Sequence, residues 1–107
     1  MRSENVKLVV FVPETHTQVV REAMCKAGAG AISNYTYCTF STKGIGRFKP
    51  ENGSKPHIGN IGKLEEVVEE RIETVVERKN LEVVIESIKE VHPYEEIAFD
   101  IYPLDSI

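Results

Sequence analysis

The stretch Lys63-Leu64-Glu65-Glu66-Val67-Val68-Glu69-Glu70-Arg71-Ile72-Glu73-Thr74-Val75-Val76-Glu77 decides the fold. Its apolar residues admit two readings. Leu64, Val67, Val68, Ile72, Val75 and Val76 fit a helix face, and periodicity alone favours that reading. Leu64, Val68, Ile72, Thr74 and Val76 line one side of a strand, less neatly. A second helical pattern follows at once: Leu81, Val84, Ile85, Ile88 and Val91, with Asn80 as N-cap. A helix over Lys63–Glu77 therefore leaves three strands and a long helical hairpin. A strand gives the order βαββαβ, the ferredoxin-like split βαβ arrangement. The symmetry of the two βαβ halves favours the strand.

Downstream, Val91-His92-Pro93 closes the second helix, because the residue before a proline leaves the helical region. Ile97, Phe99 and Ile101 then alternate with Ala98, Asp100 and Tyr102, which reads as a strand. Upstream, Val6–Val12 is apolar on both faces, as in a central strand, and Pro13 ends it. Thr15-His16-Thr17-Gln18 has the form of a capping box. Val20, Ala23, Met24 and Ala27 follow at helical spacing, and Gly28 supplies a left-handed stop. Asn34–Thr42 has strand composition. Arg47–Gly62 holds Pro50, Gly53, Pro56, Gly59 and Gly62 and reads as irregular; long irregular segments in compact domains are usually functional or disordered.

A chain of 107 residues, 41% hydrophobic and 28% charged, is one globular domain with a modest core. No apolar run approaches a membrane span, and no signal peptide is legible, so a cytoplasmic location is expected. The net charge of −4 argues against general nucleic-acid binding. Tyr35, Tyr37, Phe40 and Phe48 beside Arg47 and Lys49 lack the aromatic-basic signature of RNA-recognition domains. Cys25 and Cys38 form neither a disulfide framework nor a zinc pattern.

Several motifs occur in a distinctive order. They are Gly28-Ala29-Gly30-Ala31-Ile32-Ser33-Asn34-Tyr35, Cys38-Thr39-Phe40-Ser41-Thr42, Gly44-Ile45-Gly46-Arg47-Phe48-Lys49-Pro50, Ile58-Gly59, and the run from His92-Pro93-Tyr94-Glu95-Glu96 to Leu104. From Val6 to Leu104 the chain resembles the domain inserted in YqfO-type proteins of the Ngg-interacting-factor-three family. That domain is similar to the CutA and PII signalling proteins, which are ferredoxin-like and trimeric. The resemblance is the main reason for reading Lys63–Glu77 as a strand. It implies an α+β, ferredoxin-like βαββαβ sandwich with an antiparallel four-stranded sheet and two helices on one face. Full-length family members bind two metal ions through flanking domains that lie outside this sequence, so no dinuclear site carries over. His57 stands where relatives of the insert commonly have Phe.

Two candidate sites follow. His92-Pro93-Tyr94-Glu95-Glu96 offers an imidazole and carboxylates suited to a divalent ion such as zinc, with His92 and Glu95 as the expected ligands. A structural reading has Pro93 shaping the turn, Tyr94 packing and the carboxylates solvated. The second site lies in the basic segment from Lys43 to Lys63, which carries Lys43, Arg47, Lys49, Lys55 and Lys63 against Glu51. Leu64–Glu77 reverses that balance, with six Glu against Arg71. The asymmetry invites a small anion, framed by Arg47, Phe48 and Lys49 with Tyr94. Gly44-x-Gly46-Arg47 could offer backbone N–H groups to it. The alternative is a mobile basic hairpin tip. Cys38 with His57 or His92 could form a thiol nucleophile or a metal pair, though no orienting third residue is visible. His16 reads as exposed.

An apolar second face of the first strand calls for a cover, and a homo-oligomer, expected as a trimer, would provide it. The function expected is a non-enzymatic oligomeric binding or regulatory module, with ligands at subunit interfaces. The alternatives are a metal-dependent hydrolase or a purely structural oligomerisation domain.

Overall fold

The computed structural model describes residues 2–107. Strand β1 (Arg2–Pro13) leads through a 3-10 turn (Glu14–His16) into helix α1 (Thr17–Lys26). Strands β2 (Thr39–Phe48) and β3 (Glu65–Glu77) form a long hairpin. A second 3-10 turn (Arg78–Asn80) opens helix α2 (Leu81–Val91), and β4 (Phe99–Asp105) closes the chain. The sheet runs β2-β3-β1-β4, antiparallel throughout. This is the ferredoxin-like order, with β1 and β3 in the centre.

The ambiguous stretch is a strand because it is paired on both sides. β3 runs against β1 from Pro13↔Glu69 to Asn5↔Glu77, and against β2 from Phe48↔Glu65 to Thr39↔Thr74. The helical face that periodicity favoured is not a buried stripe: Leu64 is 62% and Val68 43% exposed. Ile72, Thr74 and Val76, two apart, are buried instead. Backbone pairing with two neighbours and six β-branched residues outweigh an amphipathic pattern that nothing covers.

Val6, Leu8, Val10 and Val12 of β1 face Val20 and Met24 of α1 and Val84 and Ile88 of α2, with Ile72 and Val76 alongside. Each such side chain contributes about 1.5–3 kcal/mol when fully buried. Helix α1 ends in a Schellman motif: the N–H groups of Gly28 and Ala29 donate to the carbonyls of Cys25 (3.1 Å) and Met24 (3.0 Å). Gly28 adopts φ +117° there, which a glycine tolerates. Helix α2 stops at His92, whose ψ of 133° is extended, as Pro93 requires.

Four local expectations are corrected. The capping box does not form; Thr15 Oγ1 lies 2.8 Å from its neighbour His16 Nδ1, and α1 begins at Thr17 without a side-chain cap. Asn80 likewise makes no capping bond. Strand β2 begins at Thr39, later than the composition of Asn34–Thr42 suggested, and runs on through Gly44 and Gly46. Neither of those glycines has a positive φ, so Gly44-x-Gly46-Arg47 is extended strand and not an anion-cradling loop.

The far side of the sheet carries no helix, yet it is not an open apolar face. Val9 is fully buried there, but its cross-strand partners are Glu73 and Asp100. The guanidinium of Arg71 lies 5.7 Å above the ring of Phe11 and 3.5 Å from Glu73. Two-sided apolarity of β1 thus reflects cover by neighbouring side chains in part. Among the described residues, no helix is long and apolar enough to cross a membrane.

Candidate functional site: a groove at the base of the hairpin

A groove of about 380 Å³ opens where the end of β2, the 49–64 loop and the connection from α2 to β4 meet. Such volumes lie at the lower end of the range for small-molecule sites. Phe11, Phe48 and Tyr94 supply aromatic walls, with Pro50, Pro56, Ile58 and Ala98 beside them. The rings of Phe48 and Tyr94 are 5.9 Å apart and tilted by 60°. Arg47, Phe48, Lys49 and Tyr94, proposed from sequence as ligand residues, all border this groove, and so does Glu95.

The loop that forms one wall is tied at its neck and at its side. Gly62 N–H donates to Pro50 O (2.6 Å), and Lys55 N–H donates to Glu95 Oε1 (2.8 Å). Ser54 closes a turn on Glu51 O through both its N–H (3.1 Å) and its hydroxyl (2.7 Å). The segment read from sequence as irregular is thus an anchored loop, and its anchor lies 40 residues further along the chain.

Glu69 sits at the groove's inner edge. Its Oε2 accepts the Tyr94 hydroxyl at 2.9 Å. Its carboxylate lies over Gly46, in the space a side chain at that position would need. Burial holds the Tyr94 phenol well above its ordinary pKa, and the hydrogen bond to Glu69 and that residue's charge raise it further. Tyr94 therefore stays protonated and keeps donating.

His92 is buried and spends both ring nitrogens on the protein. Nδ1 accepts Tyr94 N–H (3.1 Å), so the proton is on Nε2, which donates to Phe11 O (2.8 Å). Burial lowers its pKa, against a smaller upward pull from the Phe11 carbonyl bond and the Glu69 charge. His92 is a neutral staple between β1 and the α2–β4 connection. His92 and Glu95, expected to share a metal ion, are each engaged by the protein: both imidazole nitrogens are hydrogen-bonded, and Glu95 Oε1 accepts the Lys55 N–H. No group of three His, Cys, Asp or Glu among the described residues is placed to hold a metal ion.

The anion frame is also altered by pairing. Arg47 Nε donates to Glu66 Oε2 at 2.6 Å across the hairpin, and Lys49 Nζ lies 4.0 Å from Glu51. Cys38 does not meet His57 or His92. It precedes β2 and borders a separate hollow with Lys7, Ile32 and Phe40, at the opposite end of that strand from Phe48. Cys25 is buried, and burial pushes its thiol up. His16 is half-buried, its ring 5.9 Å from that of His57 in an edge-on arrangement.

Sequence reading missed Phe11 and Glu69. Phe11 was hidden in a run apolar on both faces. Glu69 was one of six glutamates, and only the period of two, applied once β3 is known to be a strand, puts it beside Val67 and Arg71 on the groove face.

The sheet order, the two helices on one face and the long hairpin define a CutA/PII-like ferredoxin-like domain. No protein-family model matches the chain. It is 57% identical over 98 residues to the GTP cyclohydrolase 1 type 2 homolog of Halalkalibacterium halodurans, which covers 92% of this chain and 26% of that protein. The crystal structure of a Bacillus cereus protein related to NIF3 superposes with a TM-score of 0.85 at 47% identity, over 99% of this chain and 27% of that one. The divalent cation tolerance protein CutA of Archaeoglobus fulgidus shares the fold at a TM-score of 0.71 and 14% identity, over 95% of this chain and 85% of that one. The chain is similar to the CutA/PII-like domain inserted in YqfO-type proteins of the Ngg-interacting-factor-three family. It spans about a quarter of the length of the curated relatives it matches.

Proposed function

We propose that this domain is a non-enzymatic, oligomeric binding module of the CutA/PII-like type, acting in the cytoplasm, whose ligand site is the groove at the base of the hairpin. One observation carries the reading. Segments far apart in sequence (Phe11, Arg47–Pro50, the 54–58 loop, Glu69 and the 94–98 connection) converge on a single aromatic-walled groove with a few placed polar groups. The anchoring of the loop by Lys55 to Glu95 supports a responsive element: a ligand in the groove touches both sides of that tie.

Self-association draws support from the sheet edges. Strands β2 and β4 lie at the two edges of the sheet, with exposed Phe40 and Ile45 on one and Ile101 and Tyr102 on the other. Uncovered edges are templates for pairing with another chain. A homotrimer is the state proposed. No observation favours a metal-dependent hydrolase, because the His92 nitrogens are spent and Cys38 lies apart from both His57 and His92.

Native mass spectrometry of the untreated protein, repeated with zinc added, tests the reading. A homo-oligomer with stoichiometric organic mass is the expected result. A bare monomer that takes up nothing would overturn it, and stoichiometric zinc uptake lost in His92→Ala would restore the metal site in its place.

A further inference from the structure

The groove is acidic as well as aromatic. Four carboxylates border it, Glu51, Glu69, Glu95 and Glu96, against two permanent cations, Arg47 and Lys49. Both cations already have acid partners, Glu66 at 2.6 Å and Glu51 at 4.0 Å. Glu69 differs from the other three. It is half-buried, it also borders the neighbouring hollow formed with Thr42, Lys43 and Ile45, and its one hydrogen bond is to a neutral phenol.

Three nearby side chains that could neutralise Glu69 are engaged elsewhere, and His57, which also borders the groove, sets its ring beside those of His16 and Tyr94 at 5.9 and 6.4 Å. Arg71, two residues along β3, is drawn to Glu73 and lies over Phe11. Lys43 reaches Glu14 at 3.9 Å. His92 is held neutral by its two hydrogen bonds. Among the described residues, no Lys, Arg or His forms an ion pair with Glu69. A carboxylate with no counter-charge at the edge of an aromatic cleft is electrostatically incomplete.

We infer that the groove is built for a small organic cation, an ammonium or guanidinium head on Glu69 with an apolar body against Phe11, Phe48 and Tyr94. This rests on the reading of the groove as the ligand site and names its ligand class. The head supplies the charge Glu69 lacks through charge-assisted hydrogen bonds. The ring faces attract the same charge. An anion would meet four carboxylates and find its two basic groups already paired.

The test uses three probes with one apolar body: 2-phenylethylammonium, 2-phenylethanol and phenylacetate. Each is titrated into the full isotope-labelled chain at low salt and followed by amide NMR shifts. The expected result is that the ammonium binds most tightly and shifts the amides of Phe11, Gly46, Phe48 and Tyr94. Glu69→Gln, which keeps an acceptor for the Tyr94 hydroxyl, should weaken the ammonium about tenfold or more and leave the alcohol unchanged. Glu51→Gln with Glu96→Gln, confined to exposed rim residues, should weaken it about two- to fivefold. If the alcohol or the carboxylate binds as tightly as the ammonium, the groove stands as a ligand site and the cation inference is overturned. Ammonium binding that ignores Glu69→Gln overturns it as well. If no probe moves the groove amides, the ligand-site reading falls and the inference falls with it.

Discussion

The two faces of the sheet are built from the same strands and do different work. On the covered face, Val6, Leu8, Val10 and Val12 meet α1 and α2 in a continuous apolar cluster. On the other face the alternate residues are Lys7, Val9 and Phe11, flanked by Glu69, Arg71 and Glu73 from β3. The first face lowers the free energy of the fold by removing apolar area from water. The second holds unbalanced charge and ring surface beside the groove. The apolar core and the groove proposed as the ligand site are thus separated by a single step in register, since neighbouring residues of one strand point to opposite faces.

The sharpest way to break the covered face is Leu8→Ala. The side chain is fully buried, so a loss of about 2–5 kcal/mol is expected, read from urea unfolding. A much smaller loss would mean that the core is looser than its burial indicates.

His92 ties β1 to the connection between α2 and β4, and it should give the fold a pH dependence. Its folded pKa lies below the ordinary value near 6.5, so the unfolded chain takes up the proton more readily. Its contribution is intact above about pH 6.5 and is lost as the pH falls towards the folded value. Thermal melts across that range should show falling stability. His92→Gln should flatten the fall, at the cost of a lower plateau.

Tyr94→Phe sharpens the comparison from the groove side. It removes one hydrogen bond to a partly exposed carboxylate, so a loss of about 1 kcal/mol is expected in the same assay. In the intact protein, Tyr94 should ionise well above the ordinary tyrosine value in an ultraviolet pH titration compared with the Tyr94→Phe variant. Loss of signal from the ordinary range in that variant would mean that the bond to Glu69 does not persist in solution. The smallest effect belongs to Arg47→Ala. Arg47 and Glu66 are both more than half exposed, so removing their pair should change stability by about 1 kcal/mol or less, and by less still at high salt.

Much of the architecture was legible because it rests on local patterns. The continuous apolar run of Val6–Val12, the helical spacing of Val20 and Met24, the Gly28 stop and the Pro93 break each act within a few residues. The capping box of Thr15 and Gln18 was legible too, yet a 3-10 turn displaced it, because Thr15 turned to its neighbour His16. The candidate site was legible only in part. Arg47, Phe48, Lys49 and Tyr94 were singled out by charge and motif, whereas Glu69 and Phe11 carry no local mark.

The sequence by itself determined the two helices and which residues of β1 must be inside, because hydrophobic periodicity and chain breakers act over one or two turns; the class of fold it reached only through the family resemblance. Tertiary structure decided the rest. It made Lys63–Glu77 a strand, since two neighbours satisfied its backbone where periodicity alone pointed to a helix. It tied His92, expected as a metal ligand, to the Phe11 carbonyl, 81 residues away along the chain. It also left Glu69 without an ion pair among the described residues, with Lys43, Arg47 and Arg71 drawn to other acids. Burial and pairing between distant segments are properties of the folded chain, and no short window of sequence contains them.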